Sequence, residues 1–225
     1  MMHPDSEMQY FDNNRGTGVV ATRGIPEATL VWIPGDEDQI LSLQQVLEMP
    51  VDRRAYLAEY SYLTNAGTYI VSDDVARFVN HSCHANCLSV AGLEISIAVR
   101  DIQEGEEITE DYGLYYANGG FESCVCGSLN CRHRITNDDI RQYGDEWDRK
   151  IIKSFNLLST VKQPLWSYIS PSVRQQIEAI LANETGVPSC KTLNCSPAYL
   201  RKAGELLWPS AGIAQRGKGH SAAEG

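Results

Sequence analysis

The sequence lacks any run of about 18 consecutive apolar residues, which excludes a membrane-spanning helix of the usual length. It also lacks a basic segment followed by an apolar stretch near its start, so nothing resembles a signal peptide. We therefore expect no membrane association and an intracellular protein, either cytoplasmic or, in a eukaryotic host, nuclear. The length of 225 residues suits one domain with an appended piece, or two small domains.

Positive charge is also scarce. The 19 lysines and arginines are outnumbered by 29 aspartates and glutamates, which gives a net charge of −10. Direct nucleic-acid binding needs a basic face, so we expect no nucleic-acid partner. An acidic surface favours encounter with a basic partner such as a lysine-rich tail, although the same charge can serve solubility alone.

The seven cysteines do not have the spacing of a disulfide framework. In a reducing compartment, clustered cysteines are more often metal ligands than bridges. Cys124, Cys126 and Cys131 follow the pattern C-x-C-x4-C, which can place three thiolates on one Zn²⁺. A closed tetrahedral site needs a fourth ligand, and Cys83 is the best-placed candidate.

Four motifs, in the same order along the chain, resemble those of SET-domain protein lysine methyltransferases. Residues 77–87, RFVNHSCHANC, are similar to the family's NHSC signature, and residues 101–113, DIQEGEEITEDYG, to its GEELT–DYG signature. Residues 124–135, CVCGSLNCRHRI, resemble the post-SET cysteine cluster, and residues 15–21, RGTGVVA, resemble the entry motif. The resemblance covers roughly residues 10–136.

The resemblance implies an α+β, β-rich SET fold of small curved sheets with a pseudoknot, followed by a helical C-terminal extension. It also implies methyl transfer from S-adenosylmethionine to the side-chain amine of a lysine in a basic protein or peptide. The implied residues are Gly16, Thr17, Gly18, Asn80 and His81 for the cofactor, Cys83, Cys124, Cys126 and Cys131 for Zn²⁺, and Tyr112 for catalysis. The alternative is a catalytically silent SET-like module whose zinc cluster and helices bind a partner protein.

Several of these site residues, taken one at a time, also have a structural interpretation. The two glycines, Gly16 and Gly18, also suit a plain turn, and Asn80-His81 also suits a hydrogen-bonded turn that holds Cys83. Tyr112 is singled out among eleven tyrosines only by its motif. Cys190 and Cys195 form a second C-x4-C pair. We interpret these two cysteines as free thiols, with a second metal site as the minority alternative.

Glu110 departs from the family pattern, in which Phe or Tyr usually stands two residues before the catalytic tyrosine. A carboxylate in the lysine channel would attract the substrate ammonium and oppose its deprotonation, or hold a water that leaves no room for a second methyl group. Either effect favours monomethyl-lysine as the main product. Glu110 also belongs to an acidic strip, and we expect it to face solvent. The other members of that strip are Glu104, Glu106, Glu107 and Asp111.

The domain boundaries that we predict are a flexible N-terminus at 1–9, a SET domain with its zinc cluster at 10–136, a helical region at 137–208 and a disordered tail at 209–225. Short strands are predicted at 19–22, 30–33, 68–71, 88–90 and 94–98, the last of them half-buried. Two short helices divided by Pro50 are predicted between residues 41 and 63.

Three features of the sequence bear on helices after residue 136. Apolar residues recur at helical spacing from Ile140 to Phe155, with Gly144 expected to interrupt the helix. Ser170-Pro171 predicts the start of a helix that ends near Asn183, because serine caps helices and proline suits the first helical position. Ser196-Pro197 predicts a second helix, to about Leu207.

Overall fold

The structure is a computed structural model that describes residues 1–12, 15–64, 67–115, 123–136 and 138–193. In chain order the strands are β1 (Ser6–Asp12), β2 (Gly16–Ala21), β3 (Leu30–Trp32), β4 (Gln39–Ser42), β5 (Ser61–Leu63), β6 (Thr68–Val71), β7 (Asn80–His81), β8 (Cys87–Val90), β9 (Ile95–Ala98) and β10 (Glu107–Glu110). The α-helices are α1 (Leu43–Glu48), α2 (Val51–Tyr60), α3 (Asp139–Leu157) and α4 (Pro171–Leu181). Single 3₁₀ turns span Val75–Phe78, Tyr112–Leu114, Leu158–Thr160, Trp166–Tyr168 and Cys190–Thr192.

The strands form two sheets. The larger has the order β1-β2-β10-β8-β9-β3, with β7 also pairing with β10, and the smaller has the order β4-β6-β5. Short strands in two sheets, with few helices, confirm the predicted α+β, β-rich class. The strand predicted at residues 68–71 coincides with β6, and the others differ from the observed strands by a few residues at their ends.

Strand β10 lies inside the larger sheet. It pairs antiparallel with β2 and parallel with both β7 and β8. Thr109 lies opposite Asn80, and Glu110 lies opposite both His81 and Cys87. The chain continues from β10 directly into Asp111 and Tyr112, so this pairing brings the NHSC and DYG segments together.

Strand β9 is buried on both faces, so the prediction of a half-buried strand is wrong. Ile95 and Ile97 belong to one core cluster with Trp147, Ile151 and Phe155 of α3. Burying an isoleucine side chain contributes about 1.5–3 kcal/mol, so this contact is a large part of what holds α3 on the sheet. The opposite face of β9 carries Ser96 and Ala98, both of which are also buried.

Helix α3 passes through Gly144 without interruption, which makes the predicted break wrong. A Cβ at Gly144 would come within 3.2 Å of Cys190 Sγ and of side-chain carbons of Lys191. Glycine therefore allows the turn at Cys190–Thr192 to pack closely on the helix. Its conformational cost of about 1 kcal/mol is small beside the apolar packing of α3.

The N-terminal residues differ from the prediction of a flexible end. Strand β1 pairs with β2 from Ser6 to Asp12, and the Met2 side chain is buried. The backbone N–H of His3 donates to the carbonyl of Val31 at 2.8 Å. The polar side chains of β1 gave this edge strand the composition of a loose segment.

Helix starts follow the sequence signals more closely. Ser42 caps α1 in a reciprocal pair with Gln45, and Pro50 separates α1 from α2 as predicted. Ser170 caps α4, which ends at Leu181. The predicted helix that begins at Ser196, Cys195 of the second cysteine pair and the tail at 209–225 lie outside the described residues, and the remaining domain boundaries stay predictions.

Candidate active site and metal centre

The start of β2 forms a cradle that only glycine can line. A Cβ on Gly18 would come within 2.5 Å of Glu107 Oε1, 2.6 Å of the Phe11 ring and 2.7 Å of Asn80 Nδ2. Gly16 has a φ of +68°, a backbone conformation that other residues adopt at a cost. The Asn80 amide donates to the carbonyl of Thr17 at 3.1 Å. The residues predicted to bind the cofactor therefore lie close together, with the exception of His81.

Two charged residues that we did not predict complete this cradle. The Asn80 amide donates to Glu107 Oε1 at 2.9 Å, and the Arg15 guanidinium forms an ion pair with Oε2 of the same carboxylate. Arg15 also lies over the Phe11 ring, 4.0 Å from its centroid. Alternation along β10 could have predicted the contact between Glu107 and Asn80. Glu107 and Thr109 share a face of the strand, and Thr109 pairs with Asn80.

His81 links the cysteine cluster to Tyr112. Its Nδ1 accepts the backbone N–H of Tyr112 at 3.1 Å, which places the proton of a neutral ring on Nε2. Nε2 lies 3.3 Å from Cys83 Sγ. Burial, followed by the positive charge of Arg132, lowers the pKa of His81 to about 3, so the ring is neutral. Both ring nitrogens serve these contacts and not the glycine cradle.

Contacts within the described residues link the four cysteines predicted as metal ligands. The Sγ atom of Cys124 is 3.7 Å from that of Cys83 and 3.6 Å from that of Cys131. Four sulfurs arranged tetrahedrally at 2.3 Å around Zn²⁺ would be about 3.8 Å apart, and these two distances agree with that spacing. The Sγ of Cys126 accepts the backbone N–H of Cys83 at 3.4 Å.

Among the described residues, the set whose ligand atoms all lie close together contains His81 in place of Cys131. The ligand atoms of His81, Cys83, Cys124 and Cys126 all lie within 4.8 Å of one another. The tautomer of His81 that accepts from Tyr112 carries its proton on Nε2, and this nitrogen can donate to a sulfur but cannot bind a metal. Cys131, whose Sγ lies 3.6 Å from that of Cys124, therefore remains the predicted fourth ligand, and the imidazole of His81 is placed to donate to Cys83 Sγ.

The cysteine thiols have unusual pKa values. Burial raises the pKa of Cys83 to about 11 and raises the pKa of Cys124 still further. Burial alone would also raise the pKa of Cys126, but hydrogen bonds from Ser128 and from the Cys83 backbone lower it to about 6. A metal ion is the ordinary means of holding such buried thiols together as thiolates.

Tyr112 is held from two sides. Its hydroxyl donates to the carbonyl of Val79 at 2.5 Å, and its ring lies 5.4 Å from the His81 ring. Asp111 accepts the backbone N–H of Gly113 at 3.0 Å and so caps the 3₁₀ turn that Tyr112 begins. These contacts fix the direction of the tyrosine predicted to be catalytic.

Arg132 is a further residue that sequence reasoning missed. Its guanidinium donates to both oxygens of Asp111, at 3.0 and 2.6 Å, and its Nε lies 3.3 Å from Asp139 Oδ2. The guanidinium carbon lies 4.8 Å from the Tyr143 ring and 5.7 Å from the Trp147 ring. Arg132 directly follows Cys131, and this position next to a ligand was the one available signal.

The prediction that Glu110 faces solvent is wrong. Its side chain lies inside the protein, and the residue is only 5% exposed. The Tyr115 hydroxyl donates to its carboxyl group. Burial raises the pKa of Glu110 to about 7, and hydrogen bonds from Ser96 and Tyr115 limit the rise. This acid therefore changes charge near neutral pH.

An α+β fold built around paired NHSC and DYG segments is the architecture of a SET domain. A family model described as the SET domain matches residues 16–113. Residues 16–113 therefore form a SET domain, as the motifs predicted. Within the described residues, no helix has both the length and the apolar character needed to cross a membrane.

The curated relatives are lysine methyltransferases. The chain is 48% identical over 64 residues to histone-lysine N-methyltransferase set9 of Schizosaccharomyces pombe, covering 28% of this chain and 14% of that protein. It is 42% identical over 155 residues to set9 of Aspergillus oryzae, covering 61% and 23%. N-lysine methyltransferase KMT5A-A of Danio rerio is 35% identical over 124 residues, covering 48% and 36%. The chain thus spans only 14% to 36% of the length of these relatives.

One solved structure shows a looser likeness. The methyltransferase domain of human histone-lysine N-methyltransferase SETMAR superposes with a TM-score of 0.42 and 21% sequence identity. The superposition covers 60% of this chain and 58% of that chain.

Proposed function

We propose that the protein transfers a methyl group from S-adenosylmethionine to the side-chain amine of a lysine in a basic protein. The observation that carries the proposal is the pairing of β10 with β7 and β2. This pairing puts the cradle at Gly18 beside the Asn80 amide, and Tyr112 follows two residues after the end of β10, which supports a common site. The net charge of −10 and the names of the curated relatives make histone tails the first substrates to test.

The cradle has groups that suit the cofactor. The Glu107 carboxylate suits its amino group, the Arg15 guanidinium suits its carboxylate, and the Phe11 ring offers an aromatic face to its adenine. Gly16, Thr17 and Gly18 would let backbone approach the ligand closely. Asn80 would hold the turn through the Thr17 carbonyl and offer its amide oxygen to the ligand.

The bound cofactor supplies a methyl group on a sulfonium, which a neutral amine takes in an in-line displacement. Tyr112 would orient the lysine nitrogen along the line of transfer, since its hydroxyl is already fixed against the Val79 carbonyl. Backbone carbonyls in a narrow channel would add weak contacts to the polarised methyl hydrogens. Cys83, Cys124, Cys126 and Cys131 would hold a structural Zn²⁺ that fixes the C-terminal wall of the site.

Cofactor binding tests this proposal first. S-adenosylmethionine and its demethylated product should raise the melting temperature of the zinc-replete protein, because each binds only the folded state. Asn80→Ala removes the hydrogen bonds that the side-chain amide donates to the Thr17 carbonyl and to Glu107. The variant should bind S-adenosylmethionine about tenfold more weakly, a loss of about 1.4 kcal/mol. Asn156→Ala, at an exposed position on α3, is the matched control and should bind normally.

The same protein should then label core histones from methyl-labelled cofactor, with mass spectrometry identifying a modified lysine. Zinc-replete wild-type protein that binds neither form of the cofactor would instead support the silent interaction module. An intracellular location and the absence of a nucleic-acid partner remain predictions of this proposal.

A further inference from the structure

Glu110 is a buried acid with no cationic partner in the part of the chain that the structure describes. Its carboxyl group takes hydrogen bonds from the hydroxyls of Tyr115 and Ser96 and from the backbone of Ser89. All of these donors are neutral. A buried carboxylate that lacks a counter-charge is costly to ionise, so the site as described favours the arrival of a cation.

Two unused donors lie on the aromatic side chains beside this acid. The Tyr62 hydroxyl and the Trp32 indole N–H are buried and have no hydrogen-bond partner among the described residues. The Tyr62 ring packs edge-on against Trp32 at 5.7 Å and lies 5.4 Å from the Tyr115 ring. The negative charges of Glu94, Asp38 and Glu110 reach the Tyr62 hydroxyl and add to the effect of burial, which raises its pKa.

The aromatic rings connect this acid to the predicted catalytic residue. The Tyr115 ring lies between the Tyr62 ring, at 5.4 Å, and the Tyr112 ring, at 6.1 Å. The same Tyr115 donates its hydroxyl to Glu110. A carboxylate flanked by aromatic rings is the combination that attracts an alkylammonium ion, through charge and through the faces of the rings.

We propose that Glu110 is the counter-ion and proton acceptor for the ammonium group of the substrate lysine, in a site formed with Tyr62, Tyr112 and Tyr115. This inference rests on the function proposed above. The ammonium would give one proton to the carboxylate, leaving a neutral amine and a carboxylic acid. The amine lone pair then forms the new N–C bond while the C–S bond breaks and its electron pair stays on sulfur. Glu110 returns its proton to solvent before the next turnover.

The neighbours of Glu110 leave it as the group that titrates near neutral pH. Burial keeps the pKa values of Tyr62, Tyr115 and Cys87 well above their ordinary values, so all three stay protonated. Asp111 is paired with Arg132. A proton acceptor works best when its pKa lies near the working pH, and the pKa of Glu110 is about 7.

A small cation tests the site without any protein substrate. The probe is n-butylammonium, which mimics the lysine side chain, added to the zinc-replete full chain with the demethylated cofactor present. At about pH 8, wild-type protein should bind it at least about tenfold more tightly than Glu110→Gln, because the carboxylate is then ionised. Binding should weaken as the pH falls through about 7. The neutral probe 1-pentanol should not distinguish the two proteins.

Glu104→Gln is the matched control, since it removes an exposed carboxylate from the same acidic strip. It should bind n-butylammonium like the wild type. Equal affinity of wild type and Glu110→Gln for n-butylammonium, or no binding by either, overturns the inference. This result is independent of methyl transfer, so it is distinct from a failure of the proposed function, which would show as absent cofactor binding.

The pH dependence of methyl transfer to core histones gives the kinetic test. The wild-type rate should rise with pH and level off near the pKa of Glu110, about 7. Glu110→Gln should be at least about tenfold slower at neutral pH, and its rate should keep rising toward the lysine pKa of about 10.4. Superimposable profiles would rule out proton transfer to Glu110.

Tyr115→Phe provides a second variant if Glu110→Gln does not fold. It removes a hydrogen bond that lowers the pKa of Glu110, so that pKa should rise. The rate should then level off at a higher pH, and n-butylammonium should begin to bind at a higher pH. An unmoved profile in a folded Tyr115→Phe protein counts against the inference.

Discussion

Three consecutive side chains at the end of β10 point to three different parts of the site. Glu110 lies among buried aromatic rings, and Asp111 pairs with Arg132. The hydroxyl of Tyr112 reaches the carbonyl of Val79. The strand ends at Glu110, and the 3₁₀ turn that follows spreads the three side chains, which alternation along a strand would have placed on two opposite faces. Each of the three residues therefore has a separate effect that substitution can isolate.

Tyr112→Phe isolates the hydroxyl of the tyrosine. The ring should keep its packing against His81 and Tyr115, so folding and cofactor affinity should stay close to wild type. If the hydroxyl acts mainly in the transition state, the rate constant should fall by about a hundredfold or more while the substrate KM changes little. Tyr168→Phe, at an exposed tyrosine, is the matched control. Steady-state kinetics that show unchanged turnover would exclude the assigned role.

At the scale of elements, Arg132 contacts three segments. They are the cysteine loop that carries Cys124, Cys126 and Cys131, the DYG turn at Tyr112–Leu114, and α3. The backbone N–H of Arg132 donates to Cys83 Sγ at 3.4 Å, while its side chain holds Asp111. Helix α3 supplies the rings around the guanidinium, and Trp147 of that helix packs so closely on Gly113 that a Cβ there would lie 2.8 Å from its ring. Helix α3 thus packs directly against the DYG segment.

Arg132→Gln should weaken this junction more at neutral pH than at acid pH. Burial raises the pKa of Asp111 and the guanidinium opposes that rise, so the pKa rises further without the arginine. A carboxyl group with a raised folded-state pKa contributes stability that is present at low pH and lost as the pH rises through that pKa. Breaking a buried pair costs about 3–5 kcal/mol, and this loss should be small near pH 4 and full near pH 8.

Urea unfolding at both pH values measures the effect. Arg134→Gln is the matched control, because this exposed arginine lies only two residues away and should be neutral. A pH-independent loss in Arg132→Gln would contradict a role through the charge of Asp111. Metal content should remain at the wild-type level, which separates the junction from the metal site itself.

At the scale of the whole molecule, the sequence predicted what depends on neighbouring residues and missed what depends on distant ones. The caps at Ser42 and Ser170 and the spacing of the cysteine loop could all be predicted, because each involves residues close in sequence. The partnership of Asn80 with Glu107 and the burial of Glu110 depend on the pairing of β10 with β7, which no local pattern encodes. The order of the four motifs supplied that long-range information in part, through the family resemblance.

The family resemblance does not extend to the C-terminal region, so it could not predict how that region packs. Its periodicity predicted an amphipathic helix but could not show which surface that helix covers. Alternation along β9 predicted that Ile95 would be buried and that Ser96, on the opposite face, would be exposed. Both residues are buried, because α3 and the sheet interior cover the two faces of the strand. Gln163 shows the same long reach, since its side chain donates to the carbonyl of Ala28 at 2.8 Å and accepts the N–H of Leu30 at 2.9 Å.

The proposed metal centre joins segments that are far apart in the sequence. The proposed ligands join Cys83, beside β7, to the loop that carries Cys124, Cys126 and Cys131, and Arg132 continues the connection into α3. Structural zinc contributes about 10–16 kcal/mol in small metal-binding peptides, comparable with the whole stability of a domain. Loss of the metal should therefore release the cysteine loop and uncover the cofactor cradle together.

Cys131→Ser tests this coupling. The wild-type protein, purified without chelator, should contain about one zinc per chain, and the variant should contain much less, because serine is a poor ligand for this ion. Its melting temperature and its affinity for S-adenosylmethionine should both fall, and a chelator should produce the same two losses in wild-type protein. Asn130→Ala, at the exposed neighbouring residue, should keep its zinc. Elemental analysis that finds no zinc in the wild-type protein would remove the metal site, whereas zinc loss without loss of cofactor affinity would show that the cradle stands independently of the cysteine loop.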